Sequence, residues 1–409
     1  MAAGWMSLVN SALATEAAIM AVPPTSLDHW QHVRRAMPVT DEWAYFDHAG
    51  VAPLPAPARD RIKDWADDTA ASGDVNWSRW NRSVERIRAA AATLIAAAPE
   101  EIAVVRNTTE GLTLVAEGYP WQSGDNVVIT GGDFPTNVYP WLNLADRGVE
   151  VRQMDVPDGR ITPEFLAAHC DAHTRLAAFS WVHYASGWRV DVDAMAEVAH
   201  RVGALVCVDA IQGLGIMPLD VRATRVDFLA ADGHKWLLGP EGCGVLYVRG
   251  EHLNLLRPIG LGWNSVAHSG DFGNTDLVLK PTAARYEGGT YPMASVVGLD
   301  ASLELLGAHS VDDVSARVLA VAESLAERLL EIGARVVRFE QPANRSAIVS
   351  FDFADNKIAH TDLAHFPRAC RDAGVVINRR GGRLRASPHV YTSSEDIDRL
   401  IETLRGLVR

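Results

Sequence analysis

Ala204-Leu205-Val206-Cys207-Val208-Asp209 is an apolar run closed by a carboxylate, and Phe228-Leu229-Ala230-Ala231 is a second one, running into Asp232-Gly233-His234-Lys235-Trp236. Both runs are short and apolar on both faces, as strands buried inside a helix-covered sheet must be. Ahead of the first, residues 193–202 have helical spacing and Gly203 supplies a stop, which makes one clear crossover unit. Working outward, the same pattern predicts strands at 102–106, 126–130, 175–183, 204–209, 228–231 and 244–248. Helical and extended patterns alternate from about residue 59 to 249, the rhythm of an α/β fold with a large, mostly parallel sheet.

Past the turn Glu287-Gly288-Gly289-Thr290-Tyr291-Pro292 the pattern is helical through residue 332 and then mixed. Strands are expected there at 336–339, 347–353 and 375–378, with Ser394 capping a last helix to about 407. A chain of 409 residues exceeds what one core supports. The expected organisation is a flexible extension (1–26), a segment serving the small domain and active site (27–58), a large domain (59–290) and a smaller α+β C-terminal domain (291–409). A net charge of -13 argues against nucleic-acid binding, which needs clustered cations. The four cysteines lie far apart without CxxC spacing, so neither a disulfide framework nor a metal site is expected, and a reducing cytoplasm fits. Residues 1–26 lack the Lys or Arg of a secretory signal, and Asn10 and Glu16 interrupt their apolar character, so no membrane association is expected.

Lys235 follows a short strand and Asp209 ends another, 26 residues earlier, so both fall at strand ends where α/β sheets collect ligands. A lysine suited to a Schiff base and a buried carboxylate suited to a pyridinium nitrogen are what pyridoxal 5'-phosphate demands. Gln212 is placed to donate to the ring phenolate oxygen, although by itself it is also an ordinary loop residue. Asn107-Thr108-Thr109-Glu110-Gly111 opens a helix after a strand. Alone it is a capping sequence; beside Lys235 and Asp209 it reads as a phosphate seat. Phe134 offers a flat apolar lid or simple core packing. Of the arginines around Gly381-Gly382, Arg385 is flanked by Leu384 and Ala386 in a strand-like stretch and is the candidate carboxylate clamp. Asn76-Trp77-Ser78-Arg79-Trp80 either lines the pocket or packs a helix.

These segments, with Tyr45-Phe46-Asp47-His48-Ala49-Gly50 and Arg385-Ala386-Ser387, resemble the class V aminotransferase-like family of fold type I pyridoxal-phosphate enzymes, in the branch of cysteine desulfurases, selenocysteine lyases and isopenicillin N epimerases. The resemblance implies Lys235 as the aldimine lysine, Asp209 on the pyridine nitrogen and Gln212 on the phenolate oxygen. It further implies Thr108, Thr109 and His234 on the phosphate, and Thr290 on the phosphate of a neighbouring subunit, hence a homodimer with shared active sites. By the same resemblance Arg385 matches the family's carboxylate-binding arginine, and the backbone around Ala49 and Gly50 would line the substrate pocket. The chain departs from desulfurases in four places. Phe134 stands at the ring-stacking histidine, the loop before Arg385 is short and lacks the sulfur-accepting cysteine, Asp232 replaces a small hydroxyl residue, and Ser186 replaces an asparagine that contacts the ring. Asp232 is expected to turn from the phosphate toward another donor.

The reading that follows is an aminotransferase-like enzyme acting at the α-carbon of an L-amino acid. A carbon-sulfur β-lyase without a persulfide cysteine is the alternative, and an amino-acid epimerase is third. One scaffold supports all of them.

Overall fold

The computed structural model describes residues 25–156, 159–353 and 362–408. Most of the expected N-terminal extension, residues 1–24, lies outside the described residues. The first strand, β1 (Ala44–Tyr45), is followed by the seven strands of the large sheet: β2 (Ile102–Val105), β3 (Asn126–Thr130), β4 (Glu150–Met154), β5 (Thr174–Ser180), β6 (Leu205–Asp209), β7 (Phe228–Asp232) and β8 (Gly244–Val248). Their order is β2-β8-β7-β6-β5-β3-β4. The run from β4 through β3, β5 and β6 to β7 is parallel, and β8 pairs antiparallel with both β7 and β2. Apolar Val, Leu, Ile and Ala on both faces bury β2, β3, β7 and β8 throughout.

Strand β4 was not expected. Its sequence Glu-Val-Arg-Gln-Met is largely polar because it closes the sheet edge, where one side of the strand meets solvent. Strand β5 stops at Ser180, three residues short of the expected end; beyond it Val182 bridges Arg189 in a tight excursion that carries residues 183–186 to the site.

The later strands are β9 (Ala334–Val336), β10 (Val349–Phe353), β11 (Val375–Val376), β12 (Asn378–Arg380) and β13 (Arg383–Ala386). A second, antiparallel sheet runs β12-β13-β10-β9. The strand expected at 336–339 is therefore shifted to Ala334–Val336, and the one expected at 375–378 divides, because Val375–Val376 pairs in parallel with β1 whereas Asn378 turns to pair with Arg385. The helical stretch through 332 is two helices, Met293–Leu306 and Val311–Glu331, interrupted at Gly307. The first of these packs against the helices Ala56–Ser72 and Trp77–Ile95. No helix among the described residues is long and apolar enough to cross a membrane.

Pairing of β1 with β11 and the bridge from Asp47 to Ser387 lay residues 44–50 across the C-terminal sheet. That places the N-terminal motif, the hairpin β12-β13 and the ends of β6 and β7 around one space.

Candidate active site

Lys235 leaves the end of β7 through Gly233, where a Cβ would come within 2.7 Å of Leu299 and 2.8 Å of the Cys243 carbonyl. The close approach permits the turn that buries the lysine to 9 % exposure. Burial lowers its pKa to about 8, against the opposing pull of Asp209.

Asp209, at the end of β6, is 4 % exposed, and burial pushes it up to about 6. Its oxygens accept Ile211 N at 2.9 Å and Asn137 Nδ2 at 2.8 Å. Gln212 accepts the indole N–H of Trp236 at 3.0 Å and donates to the Ala49 carbonyl at 3.0 Å. Indole nitrogen only donates, so this contact fixes which end of the Gln212 amide is oxygen.

Thr108 and Thr109 open the helix Thr108–Gly118, whose cap is Asn107 accepting Glu110 N at 2.9 Å. Thr108 Oγ1 is buried and accepts the Asp232 amide at 3.0 Å, whereas exposed Thr109 meets Thr136 Oγ1 at 2.8 Å. Gly111 lets this helix lie on β7, since a Cβ there would meet Ala230 Cβ at 2.7 Å. Half-buried His234 holds Nδ1 2.9 Å from the Asp232 carboxylate, an ion-pair distance without hydrogen-bond geometry. Among the described residues neither His234 Nδ1 nor Asp232 Oδ1 gains a hydrogen-bond partner, so the donor expected for Asp232 is not found there.

Phe134 is 43 % exposed, its ring centroid 5.7 Å from Lys235 Nζ, with the Tyr184 ring at its edge. Ser186 is buried and bonded to His183 Nδ1 at 2.9 Å. Burial lowers the His183 pKa to about 4, which keeps that imidazole neutral. Arg385, on β13, is 1 % exposed; it donates to Asp47 Oδ1 at 2.9 Å and to the Tyr184 carbonyl at 2.8 Å, leaving Nε without a partner among the described residues. Asn378 donates to the other Asp47 oxygen at 2.7 Å. Ala49 and Gly50 follow Asp47, and Gly50 sits so close over its carboxylate that a Cβ would fall 2.5 Å from Oδ2.

Lys235, Asp209, Gln212, Ala49, Asp47 and Arg385 are thus linked by direct bonds or short electrostatic range. Thr290 is not joined to them among the described residues: exposed, it lines a separate cleft of about 750 Å³ with Trp77, Trp263 and Tyr291. Trp80 packs and bonds Asp68, so the tryptophan stretch divides between core and cleft. Sequence reading did not single out Asp47, Asn137 or Asn378 as site partners; Asp47 lies inside a quoted motif, and the partners of all three are distant in sequence.

A family model of class-V aminotransferases matches residues 44–400. The chain belongs to the class-V aminotransferase family. A probable cysteine desulfurase of Methanothermobacter thermautotrophicus is 31 % identical over 92 % of this chain and 98 % of that one. A cysteine desulfurase of Dickeya dadantii is 32 % identical over 90 % and 92 %. The solved complex of the cystine C-S lyase C-DES with cysteine persulfide shares the fold, with a TM-score of 0.82 at 24 % identity, covering 90 % of this chain and 99 % of that one. This class-V member is a pyridoxal-phosphate-dependent enzyme of fold type I. Its residues fit the group: a buried carboxylate in want of a cation, a desolvated amine, and hydroxyls with amide donors at a helix N-terminus.

Proposed function

We propose that this chain transfers the amino group of an L-amino acid, with Lys235 as the single base at the α-carbon. Support comes from the pairing of Lys235 with Phe134 across 5.7 Å: one face of the site offers an amine poised near neutral pH, and the other a side chain that cannot exchange a proton. Epimerisation needs a proton returned from the opposite face, which Phe134 cannot deliver.

In this reading Thr108, Thr109, His234 and the helix N-terminus would hold the phosphate, Gln212 and Ser186 would serve the ring oxygen, and Asp209 would keep the ring nitrogen protonated. Bound pyridoxal phosphate supplies an electron sink for the α-carbon. Arg385 grips the substrate carboxylate while Asp47 and the Tyr184 carbonyl hold its fork, and the backbone of Ala49 and Gly50 walls the pocket. Lys235 would then take the α-proton and return it on the same face to the cofactor's C4' carbon, as amino transfer requires, since return to the α-carbon would only restore the substrate.

A second reading, β-elimination from a sulfur amino acid, is favoured by the relatives named cysteine desulfurases. Persulfide formation is not part of it. Cys207, Cys243 and Cys370 are buried and Cys170 is half-buried, and burial pushes Cys370 up to about 12 and Cys170 up to about 11, far from a reactive thiolate. The unpaired thiols also support a reducing cytoplasm. The proposal includes a homodimer in which Thr290 reaches the partner's phosphate. It also includes a cofactor-binding unit over 59–290 and a smaller unit over 291–409, the latter supported by the apolar cluster around Leu325, Phe351, Leu384 and Leu400.

Borohydride treatment of the cofactor-loaded protein followed by peptide mapping should tag Lys235, and Lys235→Ala should abolish the tag. Incubation with single amino acids and a 2-oxo acid should move the amino group to the acceptor. Pyruvate and sulfide released from cysteine, with no amino transfer from any amino acid, would replace transamination with elimination.

A further inference from the structure

Two carboxylates, not one, are buried behind the site. Asp133 is 6 % exposed and Asp209 4 %. The hydrogen bonds between them have directions that chemistry assigns. Asp133 Oδ1 accepts the Phe134 amide at 2.7 Å, and Oδ2 accepts Ser180 Oγ–H at 2.7 Å. An ionised carboxylate only accepts, so the Ser180 proton points at Asp133 and the Ser180 oxygen is left to accept in turn. Asn137 Nδ2 lies 2.9 Å from that oxygen and 2.8 Å from Asp209 Oδ2. One N–H of Asn137 therefore serves Ser180 and the other serves Asp209. A carboxamide is nearly symmetric in shape, and here the run of acceptors decides which end is nitrogen.

We infer that Asp133 is a positioning residue: through Ser180 and Asn137 it holds an N–H donor on Asp209, the carboxylate that would meet the ring nitrogen of pyridoxal phosphate. The inference rests on the function proposed above. Without an acceptor at Asp133, the Ser180 proton is free to turn toward Asn137, the amide can rotate, and its carbonyl then faces Asp209 and favours the protonated acid. A neutral Asp209 cannot hold a ring cation.

The energetic margin is small, which is why one donor matters. Burial drives Asp209 up to about 6, and the Ile211 and Asn137 N–H groups oppose it, followed by the weaker effects of Asp133, which raises it, and Lys235, which lowers it. On its own strand Asp209 also faces Cys207, whose thiol burial holds protonated. Asp133 is itself pushed up to about 6 by burial, so the relay is set only above that pH. The same residue anchors the backbone of Phe134, and so ties the ring-stacking side chain to the ring-nitrogen carboxylate.

The test loads wild type, Ser180→Ala, Ser180→Thr and Asp133→Asn with pyridoxal phosphate carrying nitrogen-15 in the ring and follows the ring-nitrogen shift against pH. The expected result is a deprotonation midpoint about one pH unit lower in Ser180→Ala and Asp133→Asn, the size of one lost hydrogen bond to a charged group. Ser180→Thr, which keeps the hydroxyl, should return toward wild type. If either of the first two variants titrates with wild type, or if cofactor affinity drops while the midpoint stays, the inference is overturned. Borohydride tagging separates the two levels: an untagged wild-type Lys235 removes the proposed function, whereas a tagged Lys235 with an unmoved midpoint removes only the relay.

Discussion

Arg385 is almost fully buried and already doubly engaged, which makes its removal a two-part experiment. Arg385→Ala takes away the charge-assisted bond proposed to the substrate carboxylate, so KM for an α-amino acid should rise on the order of tenfold to a hundredfold. It also leaves Asp47, itself 8 % exposed, without its cation, and stability should fall by about 3 to 5 kcal/mol in denaturant titration. Arg385→Lys should recover part of the stability and little of the KM, because one ammonium cannot span the positions a planar fork occupies. Equal recovery of both would show that charge alone matters there. Arg385 stood out in the sequence through its apolar neighbours. Its carboxylate partner did not, since Asp47 lies 338 residues away and only the bridge to Ser387 brings it alongside.

Among the elements, the helix Thr108–Gly118 carries two separable duties. Asn107 caps it through Glu110 N, so Asn107→Ala should lower the stability of the cofactor-free protein by about 1 kcal/mol. Asn107→Asp keeps an acceptor at the cap and adds a negative charge beside the proposed phosphate seat. It should leave unfolding nearly unchanged and weaken pyridoxal-phosphate binding several-fold, less so at high salt. Calorimetry and cofactor titration on both variants check the split; matched losses of stability and affinity in Asn107→Asp would reject it. The buried strands were legible because sheet centres select apolar residues on both faces. Strand β4 was not, because an edge strand tolerates Glu150, Arg152 and Gln153 as readily as a loop does. The split of residues 375–380 was equally hidden, since it depends on which distant strand each half meets.

For the molecule as a whole, the informative surface lies around Trp263, Phe272 and Leu277, which are 42 %, 79 % and 70 % exposed. Trp263 and Phe272 stack edge to face at 5.9 Å beside the cleft that holds Thr290. This apolar surface is the candidate contact for the proposed homodimer. Light scattering should give twice the 44.4 kDa chain mass, and Phe272→Glu combined with Trp263→Arg should return the single-chain mass. A wild-type monomer at micromolar concentration would remove both the dimer and the shared-site role proposed for Thr290.

By itself the sequence determined which short runs must be buried and which reactive side chains stand at their ends: Lys235 beyond β7, Asp209 closing β6, Thr108 opening a helix. Those are local properties, set by polarity and spacing along a few residues. Tertiary structure alone decided who meets whom: Asp47 with Arg385, Trp236 with Gln212, and Asp133 with Asp209 through Ser180 and Asn137. A hydrogen bond forms over about 3 Å, so its partners depend on strand order and register, which no local stretch of chain contains.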